Sequence, residues 1–245
     1  MLSFLRKPPY LKDLIPEGYT DIHSHLLPGI DDGAQTRDDT LFLVSKLLKI
    51  GFARFVTTPH IMANVWDNSR DGIEASSSAS INDLEKSGVT VPIRAAAEYL
   101  MDTYFVDLFQ TEKLLTLADN YVLVEMSYIN PPIQLFQIIF DLQVAGYKPV
   151  LAHPERYTFY HHNFDEYAKL KNAGCLFQMN LLSVAGYYGI RVAETARKLL
   201  AKGLIDFTGS DVHHENHINA FSKRIVIKDT VPLAEAMKNN SMFRF

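Results

Sequence analysis

The chain has 245 residues, 47% of them hydrophobic and 21% charged, which is ordinary for a globular protein that buries a core without disulfides. The formal net charge of −4 argues against a nucleic-acid-binding protein, which favours a clustered basic surface. No apolar run approaches the roughly 20 residues that span a bilayer, and the lone Cys175 cannot form an internal disulfide.

These features predict a cytoplasmic protein with no integral membrane segment. The first residues lack the apolar region and cleavage site of a secretory signal. No low-complexity linker divides the chain, so we expect one domain over residues 1–245, with residues 1–18 as an N-terminal extension. Within this extension, Leu2, Phe4 and Leu5 are expected to pack loosely against the domain.

Short apolar runs alternate with amphipathic segments of helical length along the chain. The runs predicted to be strands are residues 19–22, 53–57, 91–97, 121–124, 149–152, 175–179 and 204–208. One helix is predicted to begin after Thr36, which resembles a capping box with Asp39, and to end at Gly51. Further helices are predicted at 133–145, 164–173 and 191–202. This alternation is typical of parallel strands joined by crossover helices.

Ionisable residues stand at the carboxyl ends of these runs. They are His60, Glu98, Glu125, His153 and Asp211. In a TIM-like barrel such strand ends converge on one mouth, whereas a doubly wound sheet collects ligand groups at a switch point. The pattern therefore favours an irregular barrel of seven strand–helix units.

Two histidines, His23 and His25, are separated by one residue. On a strand, residues at i and i+2 face the same side, and two imidazoles there suit a divalent transition metal. An isolated pair is more often two hydrogen-bonded core histidines. The same spacing recurs in Asp211-Val-His213, and buried charges at the other strand ends are costly unless they are paired or bind metal. Six such strand ends together predict a metal centre.

Asp31 and Asp32 precede Gly33, a sequence that also suits a simple turn. If Asp32 joins the cluster, four carboxylates and two or three divalent ions leave a site that is roughly neutral to about +2, which attracts a phosphate monoester. Arg156 follows His153 by three residues, and its planar fork suits phosphate oxygens. A surface salt bridge is the ordinary alternative for an arginine, but its position favours anion binding.

The combined motifs resemble the PHP superfamily of metal-dependent phosphoesterases, and within it the bacterial capsule- and exopolysaccharide-associated (CpsB/CapC-type) protein-tyrosine phosphatases. The quoted runs are DIHSHLLPGIDDG at 21–33, TTPH ending at His60, Glu98, LVEM around Glu125, AHPERY at 152–157 and GSDVH ending at His213. The resemblance covers nearly the whole chain from about Tyr19.

The resemblance implies a distorted seven-stranded (β/α) TIM-like barrel, the PHP fold, with two or three divalent ions, most often Mn, with Fe or Zn as alternatives. The ligands that it implies are His23, His25, Asp32, His60, Glu98, Glu125, His153, Asp211 and His213. Arg156, Glu98 and His60 would be catalytic, and Arg156, Tyr157 and His217 would bind substrate. The implied substrate is a phosphotyrosyl protein, the tail of a bacterial tyrosine kinase that regulates polysaccharide export.

One departure concerns an arginine that many relatives place shortly after the final D-x-H motif. This chain has none there, and His217 or Asn219 is a candidate replacement. Other tyrosines that follow strand ends, among them Tyr128 and Tyr188, are candidates to stack on a substrate ring. Trp66 and Met62 are expected to pack in the interior instead.

Several other functions remain open from the sequence. The metal centre could serve a small-molecule phosphatase, such as one acting on histidinol phosphate, or a nucleotide phosphoesterase. C–N bond hydrolysis is less favoured, because no strand end supplies a lysine. A non-catalytic, metal-stabilised binding module is also less favoured, because structural sites close with four ligands and nine candidates suggest an open, multinuclear site.

Overall fold

The strands in the described part of this protein pair in parallel. The structure is a computed structural model that describes residues 7–245, so the expectation for Leu2, Phe4 and Leu5 lies outside the described residues. The strands are β1 (Tyr19–Asp21), β2 (Phe52–Thr57), β3 (His60–Ile61), β4 (Ile93–Ala95), β5 (Glu98–Leu100), β6 (Tyr121–Glu125), β7 (Lys148–Ala152), β8 (Leu176–Asn180) and β9 (Phe207–Gly209). They form two ladders, β1-β2-β4 and β3-β5-β6-β7-β8-β9.

Eight helices alternate with these strands in the described residues. They are α1 (Arg37–Ile50), α2 (Arg70–Lys86), α3 (Thr103–Thr111), α4 (Leu135–Val144), α5 (Asp165–Asn172), α6 (Ile190–Ala201), α7 (Glu215–Ala220) and α8 (Val231–Asn239). The predicted capping box of Thr36 and Asp39 is confirmed at the start of α1. Gly51 ends this helix with a φ of 120°, a backbone conformation that favours glycine.

The predicted α/β class with a parallel sheet is confirmed, but a closed seven-stranded barrel is not. The predicted strand at 91–97 contains only β4, and β5 begins beyond it at Glu98. Likewise, β3 follows β2 after a break at Thr58 and Pro59. Proline has no N–H to donate to a ladder, and the Thr58 amide instead donates to the Ser24 carbonyl at 2.7 Å. The chain beyond β2 is thereby held against the segment that follows β1.

The segments that follow the first and last strands meet at the same end of the sheet. Ser24 and Val212 form an isolated parallel bridge, and the Asp211 amide donates to the His23 carbonyl at 2.8 Å. This contact brings both histidine-containing motifs to the carboxyl ends of the strands. Among residues 7–245, no helix combines the length and apolar character that a membrane span requires.

A buried amide connects the C-terminal region to the first and last strands. Asn240 is fully buried; its Nδ2 lies 2.9 Å from both the Tyr19 hydroxyl and the Thr20 carbonyl and 2.7 Å from the Thr208 carbonyl. Its Oδ1 accepts a hydrogen bond from the Thr208 amide at 3.1 Å. One side chain therefore satisfies polar backbone groups of two elements.

We expect Asn240→Ala to lower the free energy of unfolding by about 3 kcal/mol, because several buried groups lose their partners at about 1–3 kcal/mol each. Urea denaturation of the chelator-treated protein measures this. Asn239→Ala is the matched control, since Asn239 makes one exposed hydrogen bond to the Asp206 carbonyl. Equal effects of the two substitutions would contradict the proposed role of Asn240.

Candidate metal centre

The structure brings all nine predicted ligands together. Seven lie at or after the carboxyl ends of β1, β6, β7 and β9, whereas His60 and Glu98 are the first residues of β3 and β5. Their nitrogen and oxygen atoms form four groups, each within 4.8 Å: His25, Asp32, His60 and His213; His23, Glu98 and His153; His23, His25 and Asp211; and His60, Glu98 and Glu125. Each of His23, His25, His60 and Glu98 belongs to two groups. The proximity is a structural fact, while the role of these residues as metal ligands stays a prediction.

Glu98 lies where neighbouring groups meet. Its Oε2 is 3.1 Å from His23 Nε2 and 3.4 Å from His60 Nδ1, and its Oε1 is 3.1 Å from His153 Nε2. The two carboxylate oxygens therefore face imidazoles from three different strand ends. A carboxylate in this position could bridge two cations.

The donor set fits divalent cations. Glu125 Oε1 and His60 Nδ1 are 2.9 Å apart, yet neither atom has a hydrogen-bond partner within the described part of the chain, and neither does Glu98 Oε1. Unpartnered buried charges of this kind are costly unless a cation binds them. Mixed imidazole nitrogen and carboxylate oxygen ligands suit ions such as Mn, Fe and Zn.

Hydrogen bonds on the side away from the cluster orient the imidazoles of His23 and His25. His23 Nδ1 lies 2.7 Å from Gln178 Oε1, and His25 Nδ1 lies 2.8 Å from Asp31 Oδ2. With both Nδ1 atoms bonded, the Nε2 atoms face the cluster, where they are 3.3 Å apart. Such outer partners fix the orientation of metal-binding histidines. From the sequence, Asp31 is expected only in a turn, and no motif marks Gln178 as a partner of His23.

The two neighbouring aspartates have different surroundings. Asp31 is buried beneath His25, whereas Asp32 lines the cavity and approaches His60 Nε2 at 3.5 Å and His213 Nε2 at 3.4 Å. The choice of Asp32 as the candidate ligand therefore agrees with its position. Because both residues follow one another in a turn, only the backbone conformation distinguishes them.

The charges within the cluster shift the pKa values of its members. Burial and the neighbouring His25 lower the pKa of His60, but Asp32, Glu125 and Glu98 outweigh them and raise it to about 10. Burial raises the pKa of Glu98, yet the surrounding histidines hold it well below its usual range. The carboxylates thus favour positive charge on the groups around them.

Arg156 lies beside the cluster and lines the same cavity. Its Nη1 donates to Asp211 Oδ2 at 2.8 Å, and its guanidinium carbon lies 4.8 Å from the Tyr128 ring centroid and 4.1 Å from that of Tyr188. Within residues 7–245, Asp211 is its only side-chain hydrogen-bond partner. The two rings and one carboxylate fix the guanidinium and leave other N–H donors for an anion.

The two other predicted substrate contacts differ in placement. Tyr157 is fully buried, and its hydroxyl accepts a hydrogen bond from the Met126 amide at 2.9 Å, so its placement contradicts the predicted substrate contact. His217 lines the cavity and accepts from the His213 amide through Nδ1 at 3.1 Å. Burial, with the charges of neighbouring residues, lowers the pKa of His217 to about 3, which keeps it neutral. Asn219 is exposed and does not line the cavity.

The cavity above the cluster has a volume of about 530 Å³, within the usual range for small-ligand sites. Its apolar and aromatic lining residues, which we call the apolar wall, are Met62, Trp66, Leu100, Met126, Tyr128 and Ile129. The expectation that Trp66 and Met62 pack in the interior was therefore wrong. Their loop follows β3 and has no periodic pattern from which its direction could be predicted.

The structure has a parallel α/β fold in which histidines and carboxylates cluster beside an arginine. These features define the class of protein. The family model "Capsular polysaccharide synthesis, CpsB/CapC" matches residues 19–222, and the chain belongs to this family. It is 29% identical to the tyrosine-protein phosphatase YwqE of Bacillus subtilis over 195 residues, which are 79% of this chain and 77% of that protein. The resemblance inferred from the motifs is thereby confirmed.

Two further similarities concern other relatives and the fold. The chain is 25% identical to the tyrosine-protein phosphatase CpsB of Streptococcus pneumoniae over 203 residues, 79% of this chain and 82% of that one. A crystal structure from work on YwqE and CpsB, described as unique metal-dependent tyrosine phosphatases, aligns with a TM-score of 0.77 at 28% identity, covering 82% and 84% of the two chains. Histidinol phosphate phosphatase of Lactococcus lactis shares the fold alone, with a TM-score of 0.51 at 11% identity and coverage of 94% and 95%.

Gly33 allows the close approach that the second histidine needs. A Cβ atom on Gly33 would lie 2.3 Å from the His25 carbonyl oxygen and 2.4 Å from His25 Cβ. We expect Gly33→Ala to displace His25 and weaken metal binding at least tenfold, as loss of an outer support does. Metal titration and elemental analysis measure the effect.

Gly72→Ala in α2 is the control for this experiment. A Cβ atom there would meet only Ser69 Oγ, at 3.2 Å, and alanine favours a helix over glycine. Unchanged metal affinity in Gly33→Ala, with the fold intact, would show that His25 does not depend on this contact.

Proposed function

We propose that this protein is a metal-dependent phosphomonoesterase that hydrolyses phosphotyrosine in proteins. The proposed physiological substrate is the tail of a bacterial tyrosine kinase that regulates capsule or exopolysaccharide synthesis, and the proposed location is the cytoplasm. The observation that carries the proposal is the position of Arg156, which is fixed between two tyrosine rings beside the nine clustered candidate ligands. The activities of YwqE and CpsB support the choice of phosphotyrosine.

The proposed cofactor is two or three divalent ions, with Mn favoured over Fe or Zn. They would be held by the nine residues of the four groups, with Glu98 shared between groups. When bound, such ions lower the pKa of water and stabilise negative charge on phosphoryl oxygens. We further propose that the strand units form the distorted seven-stranded barrel of the PHP fold, which would explain why ligands come from nearly every strand.

The chain's own residues would perform binding and orientation. Arg156 would donate to phosphate oxygens through the N–H groups that do not contact Asp211, and charge-assisted bonds of this kind are among the stronger hydrogen bonds. His217 is neutral and faces the cavity, so it could donate to the phosphate without adding charge. Glu98 and His60 are proposed to be catalytic because each belongs to two groups of candidate ligands. Glu98 Oε2 lies 3.4 Å from His60 Nδ1.

The apolar wall favours an aromatic phosphate. Trp66 and Tyr128 line the cavity, and Tyr128 lies against the Arg156 guanidinium, so a phenyl ring would have aromatic neighbours once its phosphate lay near Arg156. Aromatic rings stack in offset or edge-to-face arrangements and contribute about 0.5–1.5 kcal/mol beyond their buried area. A small polar alkyl phosphate would gain less from this wall.

The proposal is tested by comparing hydrolysis of a phosphotyrosyl peptide with that of histidinol phosphate and a nucleotide monoester. We expect the peptide to be favoured, and chelator treatment to abolish turnover until Mn is restored. A preference for histidinol phosphate would replace the protein substrate with a small molecule. Bound metal without hydrolysis of any phosphoester would instead indicate a binding module.

Single substitutions should separate metal binding from phosphate binding. We expect His23→Ala and Glu98→Ala to lose metal and activity together, since both residues contribute to two groups. Arg156→Ala should keep its metal but lower kcat/KM roughly 10²-fold, the scale for removing one charge-stabilising donor. Elemental analysis and steady-state kinetics distinguish these outcomes.

The control is Arg191→Ala, which removes an exposed arginine at the start of α6. Its kcat/KM should match that of the unsubstituted protein within twofold. If Arg156→Ala behaves like this control, Arg156 does not bind the phosphate.

A further inference from the structure

An exposed apolar surface extends along α4 and the loop that precedes it. It consists of Ile129, Ile133, Phe136, Phe140 and Val144, whose exposed fractions range from 43% to 103%; we call it the α4 stripe. None of the five side chains is charged, and Phe136, Phe140 and Val144 follow one another at the four-residue spacing of one helix face. Extended apolar patches on a folded surface mark interaction sites.

Burial of the opposite face shows that α4 already contributes to the core. Leu135, Ile138, Ile139 and Leu142 are buried within the domain. Apolar residues on both faces are expected of a helix that is covered on both sides. The outward face therefore has no role in the core that would explain its composition.

A groove lies next to the stripe at its cavity-proximal end. It has a volume of about 450 Å³, and its lining is mostly apolar or aromatic, with Ile133, Phe136 and Phe159 among its members. Asn163 and Glu166 are the polar residues of this lining. One side belongs to the segment that follows Tyr128, and the other to the 3-10 turn that follows Arg156. The groove is thus formed by the continuations of two segments that line the candidate active site.

The stripe is continuous with the cavity through Ile129. This residue lines the cavity together with Tyr128 and is 85% exposed at its edge. From Phe136 to Val144 the helix rises about 12 Å, which matches about four residues of extended peptide. A chain that places a side chain in the cavity could therefore continue along this surface.

From this continuity we propose that the α4 stripe and its groove bind the polypeptide that flanks the phosphotyrosine of the substrate. The partner is a phosphotyrosyl protein with apolar or aromatic side chains within about four residues of the modified tyrosine. This inference rests on the proposed function and adds a sequence preference to it. The absence of charge on the stripe favours apolar flanking residues over acidic or basic ones.

A second copy of the chain is the other occupant to consider. Self-association through the stripe would place the partner over Ile129 and restrict access to the cavity. A dimer of this kind would compete with a protein substrate, whereas a stripe that is not covered by a second copy could bind the substrate. The position of the stripe at the cavity edge therefore favours the substrate.

The test compares three synthetic phosphotyrosyl peptides with free phosphotyrosine, using the Mn-loaded protein. One peptide has leucine and phenylalanine before the phosphotyrosine, one has them after it, and one has only serine and glycine. We expect one apolar peptide to exceed the serine–glycine peptide at least tenfold in kcat/KM. The side that responds gives the direction of the bound chain.

The variant Ile133→Gln/Phe140→Gln should abolish this preference and leave kcat/KM for free phosphotyrosine within twofold. Glutamine keeps a good helix propensity at position 140. The matched control is Val231→Gln, an exposed apolar residue of α8, which should keep the preference.

Equal hydrolysis of all three peptides, or a preference retained in the double variant, would overturn the α4 stripe as a substrate surface while leaving the phosphatase function intact. No hydrolysis of any phosphotyrosyl compound would overturn both proposals. A dimer in sedimentation that the double variant dissociates would identify a second copy as the occupant instead.

Discussion

Charge balance among buried side chains is the constraint on which the rest of this structure depends. Glu98, Glu125 and Asp211 are each at most 3% exposed, and Arg156 balances only the charge of Asp211 directly. The remaining charge must be matched by cations on the same donor atoms. The same carboxylates raise the pKa of His60, so its ring binds a proton more readily when no cation is present. Divalent ions would displace such protons, so metal loading and protonation are linked.

The backbone, rather than attraction between the side chains, brings these groups together. His153 and Asp211 have φ angles of 36° and 50°, a left-handed conformation that costs a non-glycine residue about 1–3 kcal/mol. Both amides are nevertheless held, since His153 N donates to the Gln178 carbonyl at 2.7 Å and Asp211 N to the His23 carbonyl at 2.8 Å. The turn after each strand thus directs the side chain of His153 or Asp211 into the cluster. The backbone hydrogen bonds of the two amides offset the cost of the left-handed conformation.

Sequence patterns were sufficient for the ligand candidates but not for their surroundings. His23 and His25 are two positions apart, and residues at this spacing in a strand point to the same side. Their convergence with the side chains of other strand ends could therefore be predicted. The distinction between Tyr128 and Tyr157 could not, because both follow strand ends and only the loop conformation determines which ring reaches the cavity. The break between β4 and β5 was missed for a similar reason. An apolar run has no local signal for the point at which one ladder gives way to another.

Specificity in this protein depends on what surrounds the charged cluster. Histidinol phosphate phosphatase has the same fold at 11% identity, and a shared fold does not by itself determine a substrate. Phosphate monoesters differ in the group that is attached to the phosphate, and this group contacts the residues that line the cavity. Here Trp66 and Tyr128 line the cavity, and Tyr128 contacts the Arg156 guanidinium. The exposed Ile129 also belongs to this lining, so an aromatic phosphate attached to a long chain would find more apolar contacts here than a compact polar one.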